Sequence, residues 1–285
     1  MAGIEAFFDP TTSTASYLVW DPAAREAAII DAVLDFDPAT GKLGTASADA
    51  MLARAGALEL KVSWVLETHA HADHLSAADY IRRKTGAKLG IGAGIKGVQA
   101  NFRVMFGVPA AETEASVFER LFEDGEVFRI GQVEAKVMHT PGHTPACVTY
   151  IVGDAAFVGD TLFMPDYGTA RADFPGGDAT ALYRSIRRIL DLPAATRLFV
   201  GHDYLPAGRT KPVWETTVEE ERASNIHVHD GVSEDDFVKL RTARDRTLPA
   251  PRLILPSLQV NIRGGALPKP EADGRIYLKT PVTAA

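Results

Sequence analysis

The chain has 285 residues, 46% hydrophobic and 24% charged, with a formal net charge of −7. This is an ordinary composition for a folded chain with a sizeable core, and the negative balance excludes a general nucleic-acid surface, which is basic. No apolar run reaches the ~18 residues of a membrane span, Met1–Pro10 lacks the regions of a signal peptide, and the single cysteine, Cys147, excludes an internal disulfide. A reducing cytoplasm is the expected location.

In chain order, Tyr17–Trp20 and Ala27–Leu34 read as strands around a turn at Asp21-Pro22. Ser47–Ala55 reads as a helix, Val62–Leu66 as a strand, and Leu75–Lys84 as a helix stopped near Gly86. Gly90–Phe106 is glycine-rich and then aromatic, without a clear period; its glycines lack the Gly-Lys-Ser/Thr of a nucleotide loop. Val127–Ile130 and Val133–Met138 flank a turn at Gly131, and Val148–Val152 and Ala155–Val158 flank Gly153-Asp154, a strong hairpin signal. Asp178–Leu190 reads as a helix with Asp178 as its N-cap. Val213–His227 and Ser233–Arg246 read as helices, the second opened by Ser233-Glu-Asp-Asp236. From Thr247 onward proline is dense, and an extended surface loop is expected. The two mixed series of strands and helices fit an α/β, four-layer αββα sandwich, one sheet per half. The expectation is a single domain over 1–285, with its core in about 1–203 and a helical and extended appendage over 204–285.

The chemistry gathers at strand ends. Val62–Leu66 runs into Thr68-His69-Ala70-His71-Ala72-Asp73-His74. Imidazoles this close repel one another when protonated and need partners when neutral and buried. A divalent metal resolves both problems, because neutral imidazole and ionised carboxylate are its ordinary ligands. Three further strand-like runs end alike: one before Pro141-Gly142-His143-Thr144-Pro145, one at Val158-Gly159-Asp160, one at Val200-Gly201-His202-Asp203. A structural zinc site is disfavoured, since such sites are usually thiolate-rich. Cys147, at the start of an apolar strand, reads as a buried small side chain rather than a nucleophile. His139 reads as a core histidine, and His227 and His229 as solvent-facing helix-end residues.

These four motifs, in this order, resemble the metallo-β-lactamase superfamily over Thr68 to Asp203. The resemblance implies the metallo-β-lactamase αββα fold but not one reaction, because the fold hosts many. Two readings of the ligands stay open at this point. In a binuclear hydrolase, His69, His71 and His143 hold one metal, Asp73, His74 and His202 the other, and Asp160 bridges them. In a mononuclear iron site, His69, His143 and Asp160 form a 2-His-1-carboxylate triad, and His71, Asp73, His74 and His202 support it.

Thr161–Gly177 contains Gly168-Thr-Ala-Arg171-Ala-Asp173-Phe174, which resembles the persulfide dioxygenases. So do Pro141–Tyr150, Gly201–Tyr204, Glu220–Asn225 and Val260–Gly265, and Met164–Arg171 resembles the bacterial branch called β-lactamase-like hydrolases. Gly90–Phe118 departs from the mitochondrial members by its length, so nothing is carried over there. The resemblance implies one Fe(II) per chain and oxidation of glutathione persulfide by O₂ and water to sulfite and glutathione, with no nucleic-acid or membrane partner; a homodimer is compatible with it. It implies Tyr204, Arg222 and Asn261 as glutathione contacts. It also sets Arg171 and Asp173, with Tyr204, as candidate catalytic residues, the first two as a pair orienting Asp160. The rival is a glyoxalase-II-like binuclear hydrolase of acyl-glutathione.

Overall fold

The computed structural model describes residues 1–113 and 117–282. Its first half runs β1 (Gly3–Asp9), β2 (Thr14–Asp21), β3 (Glu26–Ile30), β4 (Val33–Asp37), β5 (Lys42–Gly44), α1 (Ala46–Ala57), β6 (Lys61–Leu66), β7 (Leu75–Ser76), α2 (Ala78–Thr85), β8 (Lys88–Gly92), α3 (Ile95–Phe106) and β9 (Arg120–Phe122). Its second half runs β10 (Val127–Ile130), β11 (Val133–His139), β12 (Val148–Val152), β13 (Ala155–Gly159), α4 (Ala179–Leu190), β14 (Arg197–Val200), β15 (Glu215–Thr217), α5 (Val218–Ser224), α6 (Glu234–Asp245) and α7 (Ile254–Asn261).

Two six-stranded sheets form, in the orders β1-β2-β3-β6-β8-β9 and β10-β11-β12-β13-β14-β15. Their inner faces meet through Tyr17, Ile30, Phe122, Tyr150, Phe157 and Phe199. Helices cover both outer faces. Met51 of α1 and Ile81 of α2 pack on Val65 and Leu89, while Leu182 and Ile186 of α4 and Phe237 of α6 pack on Leu198 and Val200. This is the expected αββα sandwich. The inner strands are apolar on both sides because each is covered on both, and each fully buried side chain of this size contributes about 1.5–3 kcal/mol.

Several elements differ from the sequence expectation. Ala27–Leu34 is not one strand: Asp31 takes φ +53° and separates β3 from β4. Leu75 and Ser76 precede the helix as β7, paired to Leu34 and Val33. Gly90–Phe106 holds the end of β8 and the whole of α3, while residues 114–116 of the longer Gly90–Phe118 segment lie outside the described residues. Val213–His227 divides into β15, which pairs with β14, and the short α5. Here Thr217 accepts from the Glu220 amide and the Glu220 side chain accepts from the Thr217 amide, a capping box that fixes the helix start. The second sheet therefore extends beyond Asp203. After Thr247 the chain is not all loop, since α7 packs Leu258 and Val260 into the core of the first half. No helix among the described residues is long and apolar enough to cross a membrane.

The sheets bring strand ends to one edge. β3 pairs parallel with β6, and β13 with β14, so Asp31, the His69–His74 loop, Asp160 and His202 emerge together. The Ala15 amide donates to the Gly201 carbonyl at 2.8 Å and joins the two sheets there.

Candidate metal centre

Each histidine at this edge has one ring nitrogen tied to the protein. His74 Nδ1 donates to the Leu75 carbonyl (3.1 Å), His143 Nδ1 to the Arg171 carbonyl (2.8 Å) and His202 Nδ1 to the Ser13 carbonyl (3.2 Å). The Thr68 hydroxyl gives its proton to Asp31 (2.7 Å) and so accepts from His69 Nδ1 (3.0 Å). His71 is turned the other way, with Nε2 donating to Asp31 Oδ1 at 3.0 Å. These partners fix tautomer and ring direction, as outer groups do around metal-bound imidazoles.

The remaining atoms converge without partners. His69 Nε2, His71 Nδ1, Asp73 Oδ2, His74 Nε2, Asp160 Oδ1 and His202 Nε2 are buried and make no hydrogen bond. Each such group costs about 1–3 kcal/mol if left unpaired. Divalent cations would satisfy such atoms, and the neutral-imidazole and carboxylate chemistry fits a first-row ion. The atoms fall into two sets, each mutually within 4.8 Å: His69, His143 and Asp160, and His71, Asp73, His74 and His202. Asp160 lies between the sets. Its Oδ2 is 3.9 Å from His143 Nε2, and its Oδ1 is 3.4 Å from His202 Nε2.

Electrostatics follow the same geometry. Burial first, then the neighbouring histidines, holds His69 well below its ordinary pKa, and burial with His71 brings His74 down to about 4. Both are thus in the neutral, ligating form. Burial opposes the charge on His202, but Asp160 and Asp73 outweigh it and raise the imidazole. Burial pushes the Asp160 carboxyl up.

A third close group, Asp31, Glu67 and His71, is a scaffold rather than a cation site. Asp31 already accepts from the Thr68 amide and hydroxyl and from His71. Glu67 Oε1 accepts from Ser76 Oγ at 2.6 Å; Oε2 lies 3.0 Å from His71 Nε2, whose one proton is directed at Asp31. Sequence reasoning missed both carboxylates. The signal was present for Asp31, which follows the apolar Ala27–Ile30 just as Asp160 follows Ala155–Val158. Gly159 shows how tightly this shell packs: it takes φ +50°, and a Cβ there would lie 2.3 Å from Thr68 Oγ1.

A cavity of about 480 Å³ opens over the centre, with Asp73, His143 and Asp160 at its base. Tyr204 lines it and stacks on His202, ring centroids 5.2 Å apart and planes within 13°. Arg171 also lines it, paired with Asp173 at 2.6 Å. The expected orienting effect on Asp160 is not what this pair does. The Arg171 carbonyl holds His143, while its guanidinium donates to the Pro249 carbonyl at 2.7 Å and so fixes the Leu248–Leu253 wall.

Two expected substrate contacts lie elsewhere. Arg222 is exposed on α5, paired with Asp230 at 2.9 Å, and is not among the cavity residues. Asn261 is buried, and its amide is fully engaged: Oδ1 accepts from the Ser76 amide, and Nδ2 donates to the His71 and His74 carbonyls, all at 2.8 Å. It clamps the histidine loop and has no group left for a ligand. His227 also differs from expectation, being buried rather than solvent-facing, whereas His229 is exposed. His139 Nε2 donates to the Phe122 carbonyl at 2.8 Å, apart from the centre, and Cys147 is buried with its thiol pushed up to about 12, foremost by burial.

A model of the metallo-β-lactamase superfamily matches residues 9–202. A probable metallo-hydrolase of Burkholderia pseudomallei is 53% identical over 99% of both chains. The β-lactamase hydrolase-like protein of Agrobacterium fabrum is 57% identical over 98% of this chain, which spans 64% of that protein's length. Human mitochondrial persulfide dioxygenase ETHE1 is 32% identical over 92% of this chain and 88% of its own. The crystal structure of ETHE1 from Myxococcus xanthus superposes with a TM-score of 0.75 at 31% identity, over 93% of this chain and all of that one.

Proposed function

This chain belongs to the metallo-β-lactamase superfamily and groups there with the persulfide dioxygenases; from that membership we propose that it is an Fe(II)-dependent dioxygenase of glutathione persulfide. One observation carries the reading: two imidazoles and one carboxylate, His69, His143 and Asp160, form a compact ligand set at the base of an open cavity. That is the donor set of a non-haem iron oxygenase with positions left free. His69, His143 and Asp160 would hold Fe(II) there, and the ion would supply the redox chemistry that activates O₂ toward the persulfide sulfur. The overall change adds both oxygen atoms of O₂ to the terminal sulfur; water then releases it as sulfite, and the thiol of glutathione is set free with the protons.

The chain's own residues have three tasks. The Arg171 carbonyl and the Thr68 hydroxyl keep the His143 and His69 rings aimed at the base. Phe163, Tyr167 and Tyr204 form an apolar wall that sheds water from the sulfur. His202 Nε2, 3.2 Å from Asp73 Oδ2 and 3.4 Å from Asp160 Oδ1, sets a polar group beside the ligating carboxylate. At about 480 Å³ the cavity is in the ~300–1,000 Å³ range of small-molecule sites and suits a tripeptide.

A second reading is a binuclear acyl-glutathione hydrolase. It is favoured by the completeness of the second set and by Asp160, which turns one oxygen toward each. Metal content and oxygen uptake separate the two. The dioxygenase reading expects about one iron per chain and O₂ consumption with glutathione persulfide. Two metals about 3.5–4 Å apart, with thiol release from an acyl-glutathione and no O₂ uptake, would establish the hydrolase instead.

A further inference from the structure

Most arginines of this chain are neutralised in ion pairs, including Arg171 and the buried Arg241, which both line the cavity. Arg244 and Arg252 line the same cavity, are exposed, and have no ion-pair or side-chain hydrogen-bond partner among the described residues. Arg244 stands on α6 and Arg252 on the Leu248–Leu253 wall that Arg171 holds in place. The cavity's acidic residues, Asp73 and Asp160, are both at the metal end. The cavity is therefore polarised, with ligating carboxylates at its base and two unpaired guanidiniums beyond them. On a chain of net charge −7, such a pair is the local field that an anionic ligand needs.

We propose that Arg244 and Arg252 form a carboxylate-recognition subsite that makes the enzyme selective for persulfides of a peptide thiol bearing two carboxylates, against uncharged or inorganic ones. This deepens the dioxygenase reading and rests on it for the word persulfide. The guanidinium fork binds a carboxylate through paired hydrogen bonds, which a lysine at these positions would not reproduce. Aromatic side chains Tyr167 and Tyr204 also line the cavity and offer the rest of the ligand apolar contact. The specificity wall thus comes from the chain after residue 203, whereas every metal-ligating candidate comes from before it.

Binding of glutathione itself tests the subsite without turnover. Isothermal calorimetry on the metal-loaded protein, under anaerobic conditions, compares glutathione with its diethyl ester, whose two carboxylates are neutralised. The wild type should bind glutathione about tenfold or more tightly than the ester, the scale of a charged hydrogen bond. Arg244→Gln and Arg252→Gln should each remove most of that preference while leaving ester binding unchanged, and raised salt should erode it in the wild type. Equal affinity for the two ligands in the wild type, or equal weakening of both in the variants, would overturn the proposal. Oxygen uptake is not used here, so a chain that hydrolysed acyl-glutathione would fail the dioxygenase reading and still pass this test.

Discussion

Asn261 Nδ2 donates to the carbonyl oxygen of His74 at 2.8 Å, across 187 positions of sequence. The same nitrogen reaches the His71 carbonyl, and the amide oxygen takes the Ser76 N–H. One buried side chain at the end of α7 thus closes the loop that presents three histidines. Asn261→Ala leaves three buried backbone groups unpaired, a loss on the order of 3 kcal/mol. The metal-free variant should melt several degrees lower than the wild type and retain less metal on dialysis. Glutathione binding in the fraction that stays metal-loaded should be unchanged, because the amide faces the loop and not the cavity. Calorimetric melting and metal analysis on the same samples check both halves.

Asp160 and His202 separate the two metal readings by mutation. Asp160 supplies the single carboxylate of the compact set, whereas His202 belongs to the other. Asp160→Ala should abolish iron retention. His202→Ala should keep most of the iron and lower activity by ~10–100-fold, the range for supporting groups around a metal. Equal metal loss in both variants, read by elemental analysis after gel filtration, would make His202 a ligand and exclude the mononuclear centre.

Arg222 provides a contrast between sequence and structure that can be measured. Its exposed pair with Asp230 contributes about 0.2–1 kcal/mol at most. Arg222→Ala should therefore leave the KM for glutathione persulfide at its wild-type value. A clear rise in KM would return Arg222 to the binding site.

The metal centre was readable because its signals are local. His69, His71, Asp73 and His74 share one short loop, and His143, Asp160 and His202 each follow an apolar strand. The sheets had only to bring those ends together. Glu220–Asn225 shows where reading stops. The segment stood out in sequence, but the helical period decides which side chain matters. Glu221 and Asn225, four apart, share the buried face, and Asn225 Nδ2 donates to Glu221 Oε2 and to the Gly168 carbonyl. Arg222, one residue on, points out. Asn261 and the Leu248–Leu253 wall were out of reach for another reason. Their partners, the His74 carbonyl and the Arg171 guanidinium, lie 187 and 78 positions away, and no local pattern encodes such pairings. The break at Asp31 was hidden by the apolar residues on both sides, which mimic one continuous strand.

His227 gives the fold a pH dependence of its own, apart from the metal. Its ring lies against Gly168, where φ is +97° and a Cβ would come within 2.2 Å of Nδ1. Nδ1 accepts from the Thr169 amide at 3.1 Å, so the bond exists only while that nitrogen carries no proton. Burial, then Arg241 and Arg244, brings this histidine down to about 4. An unfolded histidine binds its proton near 6.5. The folded pKa is thus the lower one: the contribution to stability is full above about 6.5 and is lost as pH falls from there toward 4. His74, also brought to about 4, acts in the same direction. The contribution of His227 to the melting temperature of the metal-free protein should therefore decline across this window. His227→Gln retains an acceptor that does not titrate, so its melting temperature should fall less steeply with pH than that of the wild type. Thermal unfolding of both proteins at a series of pH values from 7 to 4 measures the difference, and parallel curves would show that His227 does not bind its proton on unfolding. The Gly168–Thr169 backbone that His227 supports continues into Arg171, whose carbonyl aims His143; acid loss of this bond should loosen the cavity wall and the metal ligand together.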